Sequence, residues 1–439
     1  MLGYVPLHAH TTEGSIGDSI LKISEYVKKG KEYGLPALAV TDHGSLSAMY
    51  AFDAECRKNG IKPIIGCEVY ETKDRLNKDK TDESAKRRWH LVLLAKNNKG
   101  MENLLTIVND AQMNGFYYKP RTDIEFMKKH GEGIICFSAC VGGKIPKAIL
   151  NDDPEAAIRY IEEYKEAFDE FYLEIQPGTF EEQRIVNEAL IELAEYTNTP
   201  LIVTNDVHYL REEDYVPHDA HVKIARKKKF SDPMVYTDKI YWMMDRQTVI
   251  DAFEDTIPRD ILEEAVNNTV KVAESCNVEL NDQIHMPEFD TQNYGSEALV
   301  LARKCFSALD RIKNTLKDPA EYMTRLLYEL ETINELGFAG YFLMVEDFIS
   351  HARSIGIPVG PGRGSVGGAL VAYLLNISLA DPIKYNLMFE RFLSVHRKSI
   401  PDIDIDFDSS RRAEMFDYAA GKYGVNNCAL VSTFQMRKA

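Results

Sequence analysis

Three aspartates stand two residues apart in Ile400-Pro-Asp-Ile-Asp-Ile-Asp-Phe407. Alternation of apolar and acidic residues with period two predicts a strand, with Ile403, Ile405 and Phe407 toward a core and Asp402, Asp404 and Asp406 on the other face. Carboxylates so spaced sit about 6.6 Å apart and repel by ~2.5 kcal/mol at an effective dielectric of about 20. Water on an open sheet face would absorb most of that, so the alternation alone describes a wet face as readily as a site. Upstream, Gly360-Pro-Gly-Arg-Gly-Ser-Val-Gly-Gly368 joins the short strand Ile357-Pro-Val359 to an apolar helix, Ala369 to Leu375. A glycine-rich turn at a helix start offers free N–H groups and a positive dipole end to an anion. Ser365 is the expected N-cap, and Arg363 adds a planar fork for phosphate oxygens. No Gly-Lys-Ser/Thr follows, so this is not a Walker A loop. Glycines alone would describe a structural turn. Combined with Arg363 and the acidic strand, they predict a triphosphate cradle at Gly362, Arg363, Gly364 and Ser365, beside cations bridged by Asp402 and Asp404.

A second concentration of chemistry lies in the first half of the chain. Tyr4 to Leu7 runs into His8-Ala-His10, Ala37 to Val40 into Thr41-Asp42-His43, and Pro63 to Ile65 leads to Cys67-Glu68. Gly133 to Phe137 ends at Ser138-Ala-Cys140, and Leu201 to Val203 at Asn205-Asp206-Val207-His208. Each apolar run predicts a short strand, and each ends in side chains able to ligate a metal. His90, in Trp-His-Leu-Val-Leu-Leu94, stands at a strand start instead. Singly, a histidine beside a strand is a satisfied core side chain and Cys140 a small buried hydrophobe. Their recurrence at so many strand ends favours a metal centre. Mixed His, Asp, Glu and Cys donors suit zinc, manganese or iron better than calcium, and such ions close together imply hydrolysis of a phosphate ester.

The elements that must position these residues alternate between strands and helices, the latter over Ile20 to Tyr33, Leu46 to Asn59 and Pro154 to Phe168. That order implies an α/β fold with a parallel sheet, and ligands at strand C-termini are what an α/β barrel gathers at one mouth. Val235 to Met244 is aromatic and β-rich, and a helix over Ile261 to Glu274 closes this first domain, residues 1–276. Arg75 to Arg88 is highly charged and reads as a mobile surface loop. Asn281 to Ser296 is the best linker candidate. Ala298 to Leu316 and Pro319 to Leu336 are amphipathic helices, the second ended by Gly337. Gly340 to Val345 opens the second domain ahead of a helix over Glu346 to Ser354; a helix over Arg411 to Tyr423 and a strand over Ala429 to Ser432 follow the acidic stretch.

A chain of 439 residues has room for two or three domains, and 45% apolar content supports their cores. Met1 is followed by no charged-then-apolar leader, and no apolar run is long enough to span a bilayer, so the expected location is cytoplasmic. Seven cysteines without a Cys-x-x-Cys pair argue against a disulfide framework. A net charge of −16 opposes non-specific nucleic-acid binding. Any DNA contact must use metals or local basic runs such as Lys227-Lys228-Lys229 and Arg411-Arg412, which are otherwise ordinary solvated surface.

Gly360 to Leu375, Phe389-Glu-Arg-Phe-Leu393 and Pro401 to Phe407 resemble the palm of the C family of bacterial replicative DNA polymerases, the DNA polymerase III alpha subunits. The likeness runs from Val5 to about Thr433. It implies that Asp402 and Asp404 carry the catalytic Mg²⁺ ions and that Asp406 supports them; Arg391 would assist with the nucleotide or serve as an ion-pair partner. The first domain resembles a PHP (polymerase and histidinol phosphatase) domain, a distorted seven-stranded α/β barrel. That resemblance implies three ions, zinc or manganese, on His8, His10, Asp18, His43, Glu68, His90, Cys140, Asp206 and His208, with Asp42 and Asn205 orienting their neighbours. Asp18 would stand in a loop.

The organisation expected is a PHP domain over 1–276, an incomplete α+β nucleotidyltransferase-like palm over 277–432, and the start of a thumb over 433–439. The resemblance implies templated addition of dNTPs to a primer 3′-hydroxyl, a 3′-to-5′ exonuclease in the barrel, and primer–template DNA, a sliding clamp and a clamp loader as partners. Thr433-Phe-Gln-Met-Arg-Lys-Ala439 departs from the family's Thr-Phe-Gly-Thr segment, and the family's thumb, fingers and third catalytic aspartate lie further on. The chain alone is therefore expected to extend a primer poorly unless another chain supplies them. Two other readings are a phosphoesterase working only through the barrel and a non-catalytic assembly fragment.

Overall fold

Seven strands build one curved sheet: β1 Ala37–Val40, β2 Lys62–Glu71, β3 Trp89–Ala95, β4 Arg121–Thr122, β5 Ile134–Phe137, β6 Glu170–Ile175 and β7 Leu201–Val203. The computed structural model describes residues 3–253, 256–281, 286–396 and 400–431. Along the sheet the order is β1-β2-β3-β5-β6-β7, with β4 beside β2. Pairing is parallel except on the two sides of β3, which runs antiparallel to both β2 and β5. Because both faces are covered, the strands read as apolar runs rather than strict alternations. Ala37, Ala39, Val92, Leu94 and Ile135 belong to one buried cluster, while Leu38, Val40, Leu91, Leu93 and Ile134 join a second with the helices.

The sheet closes on itself through the extended segment Val5 to His10. Ala39 N donates to Pro6 O at 3.1 Å and Thr41 N to Ala9 O at 2.8 Å on the β1 side. On the β7 side His10 N donates to Val207 O at 2.8 Å and Val207 N to His8 O at 3.0 Å. The strand expected over Tyr4 to Leu7 is thus a seam without regular pairing, with one isolated bridge at Ala9 and Val207. The β-rich stretch Val235 to Met244 likewise forms only a bridge between Trp242 and Tyr209.

The chain divides into units Met1–Asn281 and Asp282–Ala439. The first ends later than Cys276 because Asn277 N donates to Lys96 O at 2.7 Å and Glu279 N to Asn98 Oδ1 at 2.9 Å, which ties the tail to the barrel. Arg75 to Arg88 is pinned rather than mobile. The fully buried Arg121 guanidinium donates to the carbonyls of Arg75, Asn77, Ala85 and Gly115, and Arg75 pairs with Asp110 and Asp123.

The second unit is mainly helical, with helices Glu297–Ile312, Pro319–Glu335, Ala339–Ser354, Leu370–Leu374 and Arg412–Tyr423. Gly340 to Val345 lies inside the third of these instead of forming an opening segment, because Phe342, Leu343 and Val345 bury at helical spacing together with Ile349. Among the described residues, the strand character of the second unit is confined to the isolated antiparallel bridges Val359–Phe407 and Arg363–Asp404. No strand forms over residues 429–431; Ser432 and the 433–439 segment lie outside the described residues. No described helix is long and apolar enough to cross a membrane.

Candidate metal centre

Five histidines, three carboxylates and a cysteine converge at one end of the barrel. Glu68, at the C-terminal part of β2, stands in the middle: Oε2 lies 2.8 Å from His43 Nδ1 and 3.3 Å from His10 Nε2, and Oε1 lies 2.7 Å from His90 Nδ1. Asp206 Oδ1 lies 3.1 Å from His10 Nε2 and 3.4 Å from His8 Nε2. Asp18 Oδ2 lies 3.1 Å from His43 Nε2 and 3.4 Å from His208 Nε2. Cys140 Sγ is 3.6 Å from His90 Nδ1. The structure therefore brings together all nine barrel residues singled out in the sequence.

The antiparallel course of β3 explains His90. Its strand start falls beside the C-terminal ends of the neighbouring strands, so a residue at the wrong end of its own strand arrives at the right mouth. Asp206 at the end of β7 and Ala139 beside Cys140 take left-handed backbone angles, φ 49° and 61°. Such conformations are uncommon away from glycine and concentrate where a site requires them.

A shell of further residues holds the loops. Buried Asp42 accepts from Thr11 N at 2.6 Å, Thr11 Oγ1 at 2.7 Å and Ser15 Oγ at 2.8 Å, and Ser15 Oγ in turn lies 3.1 Å from His10 Nδ1. Asn205 joins Tyr4 and the Trp242 carbonyl. Sequence reasoning missed Glu174, next to the end of β6, whose Oε1 sits 2.7 Å from His8 Nδ1 and also accepts from Thr204 Oγ1 and Gln176 Nε2. Its position at a strand end was the available signal. It also missed Tyr236, whose hydroxyl donates to Asp18 Oδ1 at 2.8 Å and so fixes that loop residue, and His218, which lies 2.8 Å from the Asp18 carbonyl.

Burial and neighbouring charge pull against each other at the centre. Burial opposes the cationic form of His8 and His43, but Asp206, Glu174 and Glu68 around the first and Glu68 and Asp18 around the second prevail, taking His43 up to about 10. His10, deeply buried between His43 and His208, is held neutral, down to about 3. Burial alone would raise the carboxyl groups of Glu68, Asp18 and Asp206, yet the surrounding imidazoles drive all three below the usual range. Burial pushes the Cys140 thiol up. His8 Nε2, His10 Nε2, His43 Nδ1, His208 Nε2, both Glu68 oxygens and Asp206 Oδ1 are buried without a hydrogen-bond partner among the described residues. Buried polar atoms without partners are expensive. Seven such atoms, most of them within the overlapping trios His8–His10–Glu68, His10–His43–His208 and His43–Glu68–His90, fit shared cations. The cavity over them, about 600 Å³, is bordered by Tyr70, Arg88, Lys119, Arg226 and Tyr236.

In the second unit, the glycine turn and the acidic stretch lie side by side. Gly360 N donates to Asp406 O at 2.9 Å, and the Arg363–Asp404 bridge continues the contact. Gly362 and Gly364 take φ 93° and 73°, angles that a side chain would strain. Asp402, Asp404 and Asp406 are exposed and Ile403 is buried, as the alternation requires. Arg363 turns toward this acidic face, with Nε 3.1 Å from Asp406 Oδ2 and an Nη 3.8 Å from Asp404 Oδ2. Ser365 does not cap the following helix. It sits within a short 3₁₀ turn, Gly364–Gly368, and the helix N–H groups of Leu370 and Val371 donate instead to buried Glu329, each at 2.9 Å. That helix end is closed to an outside anion. Arg391 is exposed on the turn Phe389–Arg391, and Arg411 is engaged by Glu414 and the Ile355 carbonyl.

This fold and its mouth of histidines and carboxylates define a PHP-type protein: residues 6–178 match the PHP domain family, and residues 300–439 match the bacterial DNA polymerase III alpha NTPase domain. Among curated proteins the chain is 39% identical over 452 residues to the DNA polymerase III subunit alpha of Aquifex aeolicus, covering 99% of this chain and 39% of that one. It is 40% identical to the same subunit of Borreliella burgdorferi, covering 98% and 37%. The chain belongs to the DNA polymerase III alpha family and spans less than half the length of these relatives. Among solved structures, an amidohydrolase from Chromobacterium violaceum aligns with a TM-score of 0.31 and 14% identity, covering 47% of this chain and 87% of that one.

Proposed function

We propose that the barrel is a metal-dependent phosphodiesterase that removes nucleotides from the 3′ end of DNA, and that the second unit belongs to the palm of a templated DNA polymerase. The observation that carries the first part is the set of unpartnered buried atoms on His8, His10, His43, Glu68, Asp206 and His208, which cluster beside a cavity lined by Asp18, His43 and His90. With Asp18, His90 and Cys140 they would hold zinc or manganese ions. Those ions would supply charge stabilisation for attack on a phosphodiester. The chain's own part is to place them: Glu174 and Ser15 orient His8 and His10, Asp42 fixes the Thr11–Ser15 loop, and Tyr236 holds Asp18. Arg88, Lys119 and Arg226 at the rim favour a polyanion.

For the second unit, family membership and the adjacency of Arg363 to Asp404 and Asp406 support a nucleotidyl-transfer role. Asp402 and Asp404 would hold Mg²⁺, and Gly362, Arg363, Gly364 and Ser365 would face the dNTP triphosphate through the turn itself rather than through the helix end. Primer–template DNA, a sliding clamp and a clamp loader would be the partners of the longer protein, in the cytoplasm. The deciding experiment for the barrel is metal analysis of purified protein together with digestion of a mismatched primer terminus. Bound transition metal, and digestion abolished by His10→Ala or Asp206→Ala, are expected; a metal-free protein, or digestion indifferent to both substitutions, would overturn the reading.

A further inference from the structure

We propose that a groove beside the metal mouth, lined by Arg87, Trp89, Lys147 and Tyr160, binds the nucleotides immediately upstream of a 3′ end seated in the metal cavity. The inference rests on the hydrolase reading above and adds the substrate's form: an unpaired strand at least three nucleotides long. The groove measures about 460 Å³, and Arg88 lines both it and the metal cavity, so the two spaces meet at one guanidinium. Alternation along β3 explains the junction. His90 points to the metal centre, and its neighbour Trp89 faces the groove.

The chemistry of the wall is that of a single-strand track. Arg87, Arg88 and Lys147 are exposed and have no carboxylate partner among the described residues, on a chain whose net charge is −16. The acid on this wall, Asp153, is occupied at Oδ1 by Ala156 N, 2.9 Å away. Trp89 and Tyr160 are only partly buried, and the Lys144 ammonium sits 4.2 Å from the Tyr160 ring centroid while its charge is met by Glu71 at 2.8 Å. Cations tracking a backbone beside aromatic faces are how proteins hold unpaired bases without reading their sequence. The arrangement is also fixed in advance. Arg121 clamps the loop leading to Arg87 and Arg88 through three of its carbonyls, so little freedom remains to be lost on binding.

The test is equilibrium binding of fluorescein-labelled oligothymidylates of one to ten nucleotides to the full chain in excess chelator, where no cleavage occurs. Affinity should climb from the mononucleotide to about the tetranucleotide and then level off. Lys147→Glu should weaken decamer binding at least about tenfold and flatten the salt dependence of log K by about 0.7. Lys58→Glu makes the same charge change on the helix Met49–Asn59, which precedes the start of β2 at the other end of the barrel, and should stay within about twofold. In a Trp242→Phe background, Trp89 emission should be quenched by the decamer. Equal weakening by both glutamates, affinity independent of length, or full competition by inorganic polyphosphate would overturn the proposal. Because binding is read without metal, a wild-type chain that binds this way but never digests DNA would sink the hydrolase reading alone, whereas digestion without length- and Lys147-dependent binding would sink the groove alone.

Discussion

His8 Nδ1 lies 2.7 Å from Glu174 Oε1, and both side chains are buried from solvent. The contact fixes the imidazole's rotation and leaves Nε2 to face Glu68 and Asp206. Glu174→Gln should preserve the fold and weaken metal binding by about 10- to 100-fold, the usual effect of losing a carboxylate behind a ligating histidine. Competition against a chelating dye measures it. Glu170→Gln, earlier on the same strand and paired with Lys96, should leave affinity unchanged.

Arg363 occupies the acidic face that a divalent ion would share. Removing a competing surface cation from Asp404 and Asp406 should tighten Mg²⁺ or Mn²⁺ binding there, by about twofold to fivefold given the modest strength of exposed pairs. Calorimetric titration of Arg363→Ala in a His10→Ala/Asp206→Ala background isolates this site from the barrel. Weaker binding would show that Arg363 organises the site instead.

Glu329 closes the start of helix Leu370–Leu374 with both oxygens and takes Arg325 Nε at 2.7 Å. Glu329→Ala would orphan two buried N–H groups and take the carboxylate from Arg325, whose guanidinium keeps the Gly368 and Leu387 carbonyls. We expect a loss of about 2–3 kcal/mol from the second unit, read by urea unfolding.

Burial pushes the Glu71 carboxyl above its ordinary value of 4.5, against the pull of Lys144 and Tyr164. The folded protein then keeps that proton to higher pH than the unfolded chain does. Its contribution is complete below pH 4.5 and is lost as pH rises through the folded value. The stability gap between wild type and Glu71→Gln should therefore be widest near pH 4 and narrow toward pH 7. Both tryptophans, Trp89 and Trp242, lie in the barrel and report its urea transition.

The barrel centre was readable in the sequence because short strands of a covered sheet are apolar runs, and the ligands His8, His43, Cys140 and His208 stand where such runs stop. His90 broke that rule, since β3 runs against its neighbours and no local pattern records strand direction. The bonds that hold residues 277 and 279 run to the Lys96 carbonyl and the Asn98 side chain, far away in sequence, and leave no local signal at the boundary expected at Cys276. Arg75 to Arg88 looked mobile because its anchor, Arg121, lies beyond the loop and would be taken for surface by composition alone. The glycine turn was found from its own residues, but Glu329, which closes the helix behind it, comes from another helix and has no signature in the motif.

The seam of the barrel has a consequence for how the protein is made. Asp206 and His208 leave the ribosome some two hundred residues after His8 and His10, their partners across the closure. Nascent chains too short to contain β7 have an open ring and an unfinished ion pocket. Translational pausing or premature termination before that strand would leave His8 and His10 without Asp206 and His208, so that the cluster is complete only in a closed fold.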